Sequence, residues 1–242
     1  MKYKCPCCGY FTLEEAKGKY EICPVCFWED DPKQAKDEEY EGGANRVSLK
    51  QARENFKLYG ACNGMETERL VLRRWKESDA DDLYKYASDP DVRPIAGWPA
   101  HKSVEESLDV IKNVFNGKEA YAICLKSDGK AIGAIELKLN GHTDMTDKDD
   151  ECELGYWIGK PFWGQGLVPE AAGEIIRHAF EDCNMSKIWC GYYDGNNKSK
   201  RVQEKCGFKY QWTTKDVDVP LMNEKRTGHV NLLTKEDWLN SH

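Results

Sequence analysis

A chain of 242 residues, 40% hydrophobic and 32% charged, is long enough for one large domain or two modest ones with apolar cores under a polar surface. Its net charge of −7, from 42 acidic and 35 basic residues, argues against broad non-specific attraction to nucleic acid or anionic membrane. No stretch reaches the roughly 18 apolar residues of a membrane-spanning helix, and residues 1–8 lack the apolar core of a secretory leader, so a cytoplasmic location is expected.

In chain order, the first clear helix begins at Leu49. Ser48 is a good N-cap, and Gln51 three residues on completes a capping box. Leu49, Ala52, Phe56 and Tyr59 recur at helical spacing, and Gly60 closes the segment. The polar joint between Gly60 and Gly64 marks a boundary, with expected domains at residues 1–62 and 65–242. From Thr67 strands and helices alternate. Leu70-Val71-Leu72 reads as a strand, residues 79–87 as a helix capped by Ser78, and residues 103–115 as a second helix. Residues 120–125 and 131–137 are strands around a Ser127-Asp128-Gly129 hairpin signal. Residues 154–158 form another strand. The clearest helix follows, with Pro169 in its first turn and Ala172, Ile175, Ile176, Ala179 and Phe180 on one face. His178 falls in its polar stripe and is expected at the surface. A strand over 187–193, a short helix over 198–205, and strands from Phe208 and around 229–233 finish the chain. The pattern predicts a mixed, largely antiparallel α/β sheet flanked by helices. The acidic runs Glu29-Asp30-Asp31 and Asp147-Lys148-Asp149-Asp150-Glu151 read as solvated loops.

Eleven cysteines, five of them within the first 26 residues, suit a reducing compartment and a metal site better than a disulfide framework. Cys5-Pro6-Cys7-Cys8-Gly9 precedes Cys23-Pro24-Val25-Cys26, and two such pairs can set Cys5, Cys8, Cys23 and Cys26 tetrahedrally around Zn²⁺. A redox pair is the alternative, but it would need one pair on a βαβ unit. Four thiolates leave no open position, so this metal is structural and the segment a small zinc ribbon. Cys7 is a spare thiol, either a packing residue or an alternative ligand. With ten basic and eleven acidic residues in positions 1–62, the ribbon carries no basic stripe, and nucleic acid is not an expected partner. Together with Cys-Phe-Trp-Glu-Asp-Asp and Gly-Gly-Ala-Asn-Arg-Val-Ser-Leu, these cysteines resemble the cysteine-rich CPCC family over residues 1–60. That likeness implies no activity.

Pro161-Phe162-Trp163-Gly164-Gln165-Gly166 lies between a strand and the strongest helix. Gly164 and Gly166 let the chain turn with bare N–H groups inward, and the helix N-terminus adds partial positive charge, which together suit a pyrophosphate. The loop is neither a Walker loop nor a Rossmann fingerprint. It sits among Glu66-Thr67-Glu68-Arg69-Leu70-Val71-Leu72-Arg73, Glu153-Leu154-Gly155-Tyr156-Trp157-Ile158, Pro169-Glu170-Ala171 and the run from Asn196 to Cys206-Gly207-Phe208. In this order the motifs resemble GCN5-related N-acetyltransferases (GNAT) of the RimJ/RimL-like branch, over residues 65–240. The resemblance implies a GNAT-like fold and an acetyl-CoA site. The amides of Gly164, Gln165, Gly166, Leu167 and Val168 would hold the pyrophosphate. Pantetheine would run beside Tyr156, Trp157 and Ile158, and Asn196 and Ser199 would meet its far end. Gln203 stands where many members carry a proton-donating Tyr.

The implied chemistry is direct attack of a primary amine, a protein N-terminal α-amine or a small-molecule amine, on the thioester. The amine must first lose a proton, and the oxyanion needs a fixed N–H on the splayed strand near Trp157. Glu153 is the expected base, acting through water, unless it is a solvent-facing edge residue. Ser199 is the expected proton donor to the thiolate, unless it is an ordinary helix hydroxyl. Tyr156 and Trp163 serve cofactor, substrate or core packing. Residues 95–99 and the 216–225 loop would shape acceptor choice. The competing reading is a GNAT fold that binds acyl-CoA without turnover while the ribbon docks protein; monomer and homodimer are both open.

Overall fold

The computed structural model describes residues 2–92 and 97–241, except for the Leu58 side chain, so Ile95 and Ala96 of the expected acceptor segment lie outside the described residues. The chain separates into two units, Met1–Met65 and Glu66–His242. No helix among the described residues is long and apolar enough to cross a membrane.

The first unit has little regular structure: an antiparallel pair, β1 (Tyr3–Lys4) and β2 (Phe11–Leu13), and helices α1 (Pro32–Lys36) and α2 (Leu49–Tyr59). Its core is Leu13, Trp28, Leu49 and Ala52 packed around buried cysteines. Ser48 caps α2 as expected, accepting from Gln51 N at 3.3 Å, and Gly60 ends it at φ 81°. The capping box is only half made, because the Gln51 amide donates to Asn55 instead. The run Glu29-Asp30-Asp31 is not solvated. Asp30 and Asp31 are 1% and 4% exposed. Asp31 caps α1 and accepts from Ala44 N at 2.8 Å, while Asp30 accepts from Gly18 N. Backbone donors without other partners draw these carboxylates inward. Gly43 is required here by close approach: a Cβ on it would lie 2.4 Å from Asp31 Oδ2.

The second unit is built on a seven-stranded sheet. Its strands are β3 (Leu70–Arg73), β4 (Ala120–Leu125), β5 (Ala131–Lys138), β6 (Glu151–Ile158), β7 (Lys187–Tyr193), β8 (Lys209–Val219) and β9 (Glu224–Thr234), in the order β3-β4-β5-β6-β7-β9-β8. Every neighbouring pair is antiparallel except β6–β7. The mixed, mainly antiparallel sheet expected from the alternating pattern is therefore what forms. Helices α3 (Ala80–Ala87), α4 (Val104–Asn113), α5 (Leu167–Arg177), α6 (Asn197–Lys205) and α7 (Lys235–Leu239) accompany it. The predicted apolar face of α5 is buried at Ala172, Ile175 and Ile176 and continues through Ala179 and Phe180. Each such large side chain removed from water contributes about 1.5–3 kcal/mol.

Four expectations fail locally. Ser78 does not cap α3; a 3₁₀ turn, Glu77–Asp79, precedes it, and Asp79 takes the cap position. The Asp79 carboxylate is held by a buried two-pronged pair with Arg73 at 2.7 and 2.8 Å, which outcompetes a cap. The 216–225 segment is mostly strand, because β8 and β9 pair to their tips and leave only a turn at residues 220–223. In the second acidic run, Asp147, Lys148, Asp149 and Asp150 are exposed, but Glu151 belongs to β6 and is 3% exposed. It accepts from Trp189 Nε1, Lys187 Nζ and Thr146 Oγ1; burial raises its pKa, but these bonds outweigh that and bring it down to about 2. Finally, His178 is buried at 1% exposure. The helix changes there to a π turn, His178–Asp182, so the 3.6-residue period that put His178 outside no longer applies.

Candidate functional site

Strands β6 and β7 pair only from Glu151↔Lys187 to Glu153↔Trp189 and then part. The gap opens into a cleft of about 1410 Å³. Because neighbouring strand residues point their main-chain groups to opposite edges, the open edge is set by period two. Leu154 O accepts from Cys190 Sγ and Ile158 O from Trp163 Nε1, so even-numbered residues face the gap. Trp157 O instead lies against Gly133 of β5, where a Cβ would come within 2.3 Å. The amide aimed into the gap is thus that of Tyr156, next to Trp157.

The glycine loop stands at one end of this cleft. Gly164 and Gly166 have φ of 75° and 77°, and Gly166 is the N-cap of α5 with no side-chain cap. Among the described residues, no hydrogen bond is made by the amides of Gly164, Gln165, Gly166, Leu167 or Val168. Arg69 fixes the loop from behind. Its Nη1 donates to Gln165 O at 3.0 Å, and its Nε donates to Glu170 Oε2 at 2.7 Å. Thr67 Oγ1 also donates to Glu170, so the Thr67–Arg69 and Pro169-Glu170 motifs are two sides of one clamp. On the cleft side, Lys198 Nζ lies 3.3 Å from the Trp163 ring centroid, and Arg201 and Lys205 line the same wall. Bare amides, a helix N-terminus and three cations make an anion-binding end. A Val at position 166 would have to hold a left-handed backbone at a cost of roughly 1–2 kcal/mol. Gly166→Val is therefore expected to weaken binding of a diphosphate-bearing ligand about tenfold; unchanged affinity in a binding titration would show that these amides bind nothing.

A cluster of charged side chains lies farther along β6. Glu136 of β5 is register partner of Gly155, and Lys138 of Glu153, so these side chains share one face. Glu153 is fully engaged: Lys138 Nζ donates to it at 2.9 Å and Thr143 Oγ1 at 2.6 Å. The Glu136 carboxylate has no hydrogen bond or ion pair among the described residues, and the missing side chain of Gly155 leaves it room. Burial pushes the Glu136 pKa up; Lys138 pulls it back and Glu153 adds to the rise. Lys138 is lowered by burial, but the pull of Glu153 and Glu136 leaves it above its ordinary value. Trp98 and Trp157 meet edge to face at 5.5 Å beside this group. Glu136 was not singled out from the sequence; its signal is a charge inside the apolar run Ala131-Ile132-Gly133-Ala134-Ile135-Glu136-Leu137.

On the opposite face, Tyr156 Oη is 2.9 Å from Ser199 Oγ. Burial pushes the Tyr156 phenol far above its ordinary value, so it stays a neutral hydroxyl. Asn196 caps α6, its Oδ1 accepting from Ser199 N at 3.1 Å. Gln203 is 1% exposed and donates to Gly191 O at 3.0 Å and to Ser199 Oγ at 3.2 Å, while its Oε1 accepts from Asn231 at 2.7 Å. The glutamine braces α6 against β7 and β9, and the hydroxyls near it belong to Tyr156 and Ser199.

In the first unit the Sγ atoms of Cys5, Cys8, Cys23 and Cys26 all lie within 4.8 Å of one another. Cys5–Cys26 and Cys8–Cys23 are 3.6 and 3.7 Å apart. A tetrahedron with Zn–S of about 2.3 Å has edges of about 3.8 Å, so the donors fit a metal. Two matching turns hold them. Cys5 N donates to Tyr10 O and Gly9 N to Cys5 O; Cys23 N donates to Trp28 O and Phe27 N to Cys23 O. Gly9 and Phe27 take φ of 80° and 63° at equivalent places. Cys7 is buried beside the four but is not one of them.

Residues 69–209 match the family described as acetyltransferase (GNAT) domain, and residues 3–78 match that described as cysteine-rich CPCC. A "Putative ribosomal N-acetyltransferase YdaF" from Bacillus subtilis is 33% identical over 160 residues, covering 62% of this chain and 82% of that protein. A "[Ribosomal protein uS5]-alanine N-acetyltransferase" from Escherichia coli is 26% identical over 189 residues, covering 72% and 92%. The crystal structure of an acetyltransferase (GNAT family) from Bacillus anthracis superposes with a TM-score of 0.63 at 20% identity, covering 72% of this chain and 99% of that one.

Proposed function

The chain belongs to the GNAT acetyltransferases, and on that premise we propose that its Glu66–His242 unit acetylates a protein N-terminal α-amine. The observation that carries this is the row of five unbonded amides at residues 164–168, at the head of α5 and the end of the β6–β7 cleft. The names of the relatives that act on ribosomal proteins support the acceptor class. When bound, acetyl-CoA supplies an activated acetyl thioester. The loop amides and Lys198 bind its diphosphate, and Tyr156 N–H faces the negative charge that develops on the acetyl oxygen. Glu136 takes the proton of the attacking amine, directly or through water. Lys138 and Thr143 keep Glu153 in place beside it. The Tyr156–Ser199 hydroxyl pair returns a proton to the departing thiolate, a role that Gln203 cannot fill. For the Met1–Met65 unit, the four thiolates hold Zn²⁺ as a closed structural site.

The brace at Gln203 favours a second reading, an acyl-CoA binder without turnover. One measurement separates them: release of free CoA thiol by the full chain over a panel of peptides with different N-terminal residues, with small amines and lysine side chains in parallel. Turnover on peptide α-amines is the expected result. Tight CoA binding with no thiol released above the hydrolysis rate establishes the binder, and turnover only on small amines removes the protein acceptor.

A further inference from the structure

A second group of metal-ligating side chains lies in the Glu66–His242 unit, and none of its members lines the cleft. Glu119 precedes β4, while His178 and Cys183 stand at the start and just past the end of the π turn. One ligand atom from each lies within 4.8 Å of the others. His178 Nε2 is 3.0 Å from Glu119 Oε2 and 3.3 Å from Cys183 Sγ. The π turn makes this pairing: Cys183 N donates to His178 O, five residues back, and brings i and i+5 together as an α-helical turn would not.

The surroundings are those of a ligand set. Asp182 Oδ2 lies 2.9 Å from His178 Nδ1 and is itself held by Arg177 Nη1 at 2.9 Å. A carboxylate on Nδ1 keeps a proton there, so that loss of the Nε2 proton turns Nε2 into a ligand. Tyr121 donates to Glu119 Oε2 at 2.7 Å, whereas Glu119 Oε1 is buried with no partner among the described residues. Glu119 is 3% exposed, so that orphan oxygen is costly unless something binds it. Cys183 is only partly buried and gives an ion a way in.

We propose that Glu119, His178 and Cys183 form a second Zn²⁺ site, with a water in the fourth position, pinning the end of α5 to the start of β4. One thiolate, one imidazole and one carboxylate suit a borderline-soft ion and not Mg²⁺ or Ca²⁺. Zn²⁺ replaces the thiol proton of Cys183 and the proton on His178 Nε2, both released to solvent, and together with the two anionic ligands makes a neutral centre. Binding therefore weakens as pH falls.

The test uses the full chain, stripped of metal under reducing conditions and titrated with Zn²⁺ or Co²⁺ alone. Cys183→Ser and Glu119→Gln are each expected to bind one ion fewer than the parent chain, whatever the ribbon holds. The parent-minus-variant Co²⁺ spectrum should be that of a tetrahedral centre with one thiolate. Because either variant can lose structure, alkylation of Cys183 is followed in the parent by peptide mapping, with protection expected at one further equivalent of Zn²⁺. Equal stoichiometry in folded variants, or Cys183 alkylated at the same rate with and without Zn²⁺, overturns the site.

Discussion

Replacing Glu136 by Gln is expected to lower kcat/KM for acetyl transfer about 10²–10⁴-fold, the usual contribution of a positioned base, while CoA binding at the glycine loop stays unchanged. The pH profile carries a second signature. Burial first, and then Glu153, raise the Glu136 pKa, while Lys138 opposes them. A base must be ionised to act, so activity is lost on the acid side as pH falls through that raised value, at a higher pH than for an exposed glutamate. Glu153→Gln removes a like charge and frees Lys138 to face Glu136, since Lys138 now bonds Glu153 at 2.9 Å. Both effects lower the Glu136 pKa, so the acid limb should move to lower pH with much of kcat retained. Steady-state rates from acid to neutral pH for the parent and both variants decide the matter. A Glu136→Gln enzyme within threefold of the parent, beside a dead Glu153→Gln enzyme, would transfer the role to Glu153.

Treating the full chain with a chelator, or replacing Cys26 by Ser, is expected to unfold the Met1–Met65 unit and leave the acetyltransferase sheet intact. The buried core of that unit rests on a few large side chains, chiefly Leu13, Trp28 and Leu49. At about 60 residues a single core rarely supplies more than about 3–5 kcal/mol, whereas a structural zinc contributes about 10–16 kcal/mol at neutral pH. Phe27 adds to the cost, because its backbone is left-handed at φ 63°, a conformation that L side chains rarely adopt. Backbone amide spectra of the full chain, taken before and after chelation, are the measurement. Collapse confined to residues of the first unit is the expected outcome. A first unit that keeps its dispersion without metal would mean that its buried bonds, such as Gln34 to Val47 O and Asn45 to Glu29 O, suffice. Acid should mimic chelation, since protons compete for the thiolates.

Elements with a local code were legible. The two cysteine pairs announce a four-thiolate cluster through spacing alone, and α5 announces itself through its 3.6-residue apolar face. The Asp128-Gly129 turn between β4 and β5 follows from the left-handed position that Gly129 fills at φ 72°. Features that depend on partners far along the chain were not legible. Asp79 is held by Arg73 instead of capping α3, and Asp31, while capping α1, also accepts from Ala44 N thirteen residues on. A helical wheel sets His178 outside, but the 3.6-residue period ends one residue before it.

The candidate site divides in the same way. A glycine pair before a helix specifies by itself only a tight turn with positive φ and bare amides, and the flanking motifs are what point to an anion there. Glu136 and Glu153 are equally acidic in the sequence. Strand register alone sets Lys138 opposite one and the empty side of Gly155 opposite the other. Local periodicity thus determined the mixed sheet and its helices, residue spacing the thiolate cluster, and ordered motifs the family resemblance and the glycine turn before α5. Tertiary pairing decided which carboxylate is free, which amide faces the gap and which histidine is buried, because those depend on what lies across the sheet and not on what lies next in the chain.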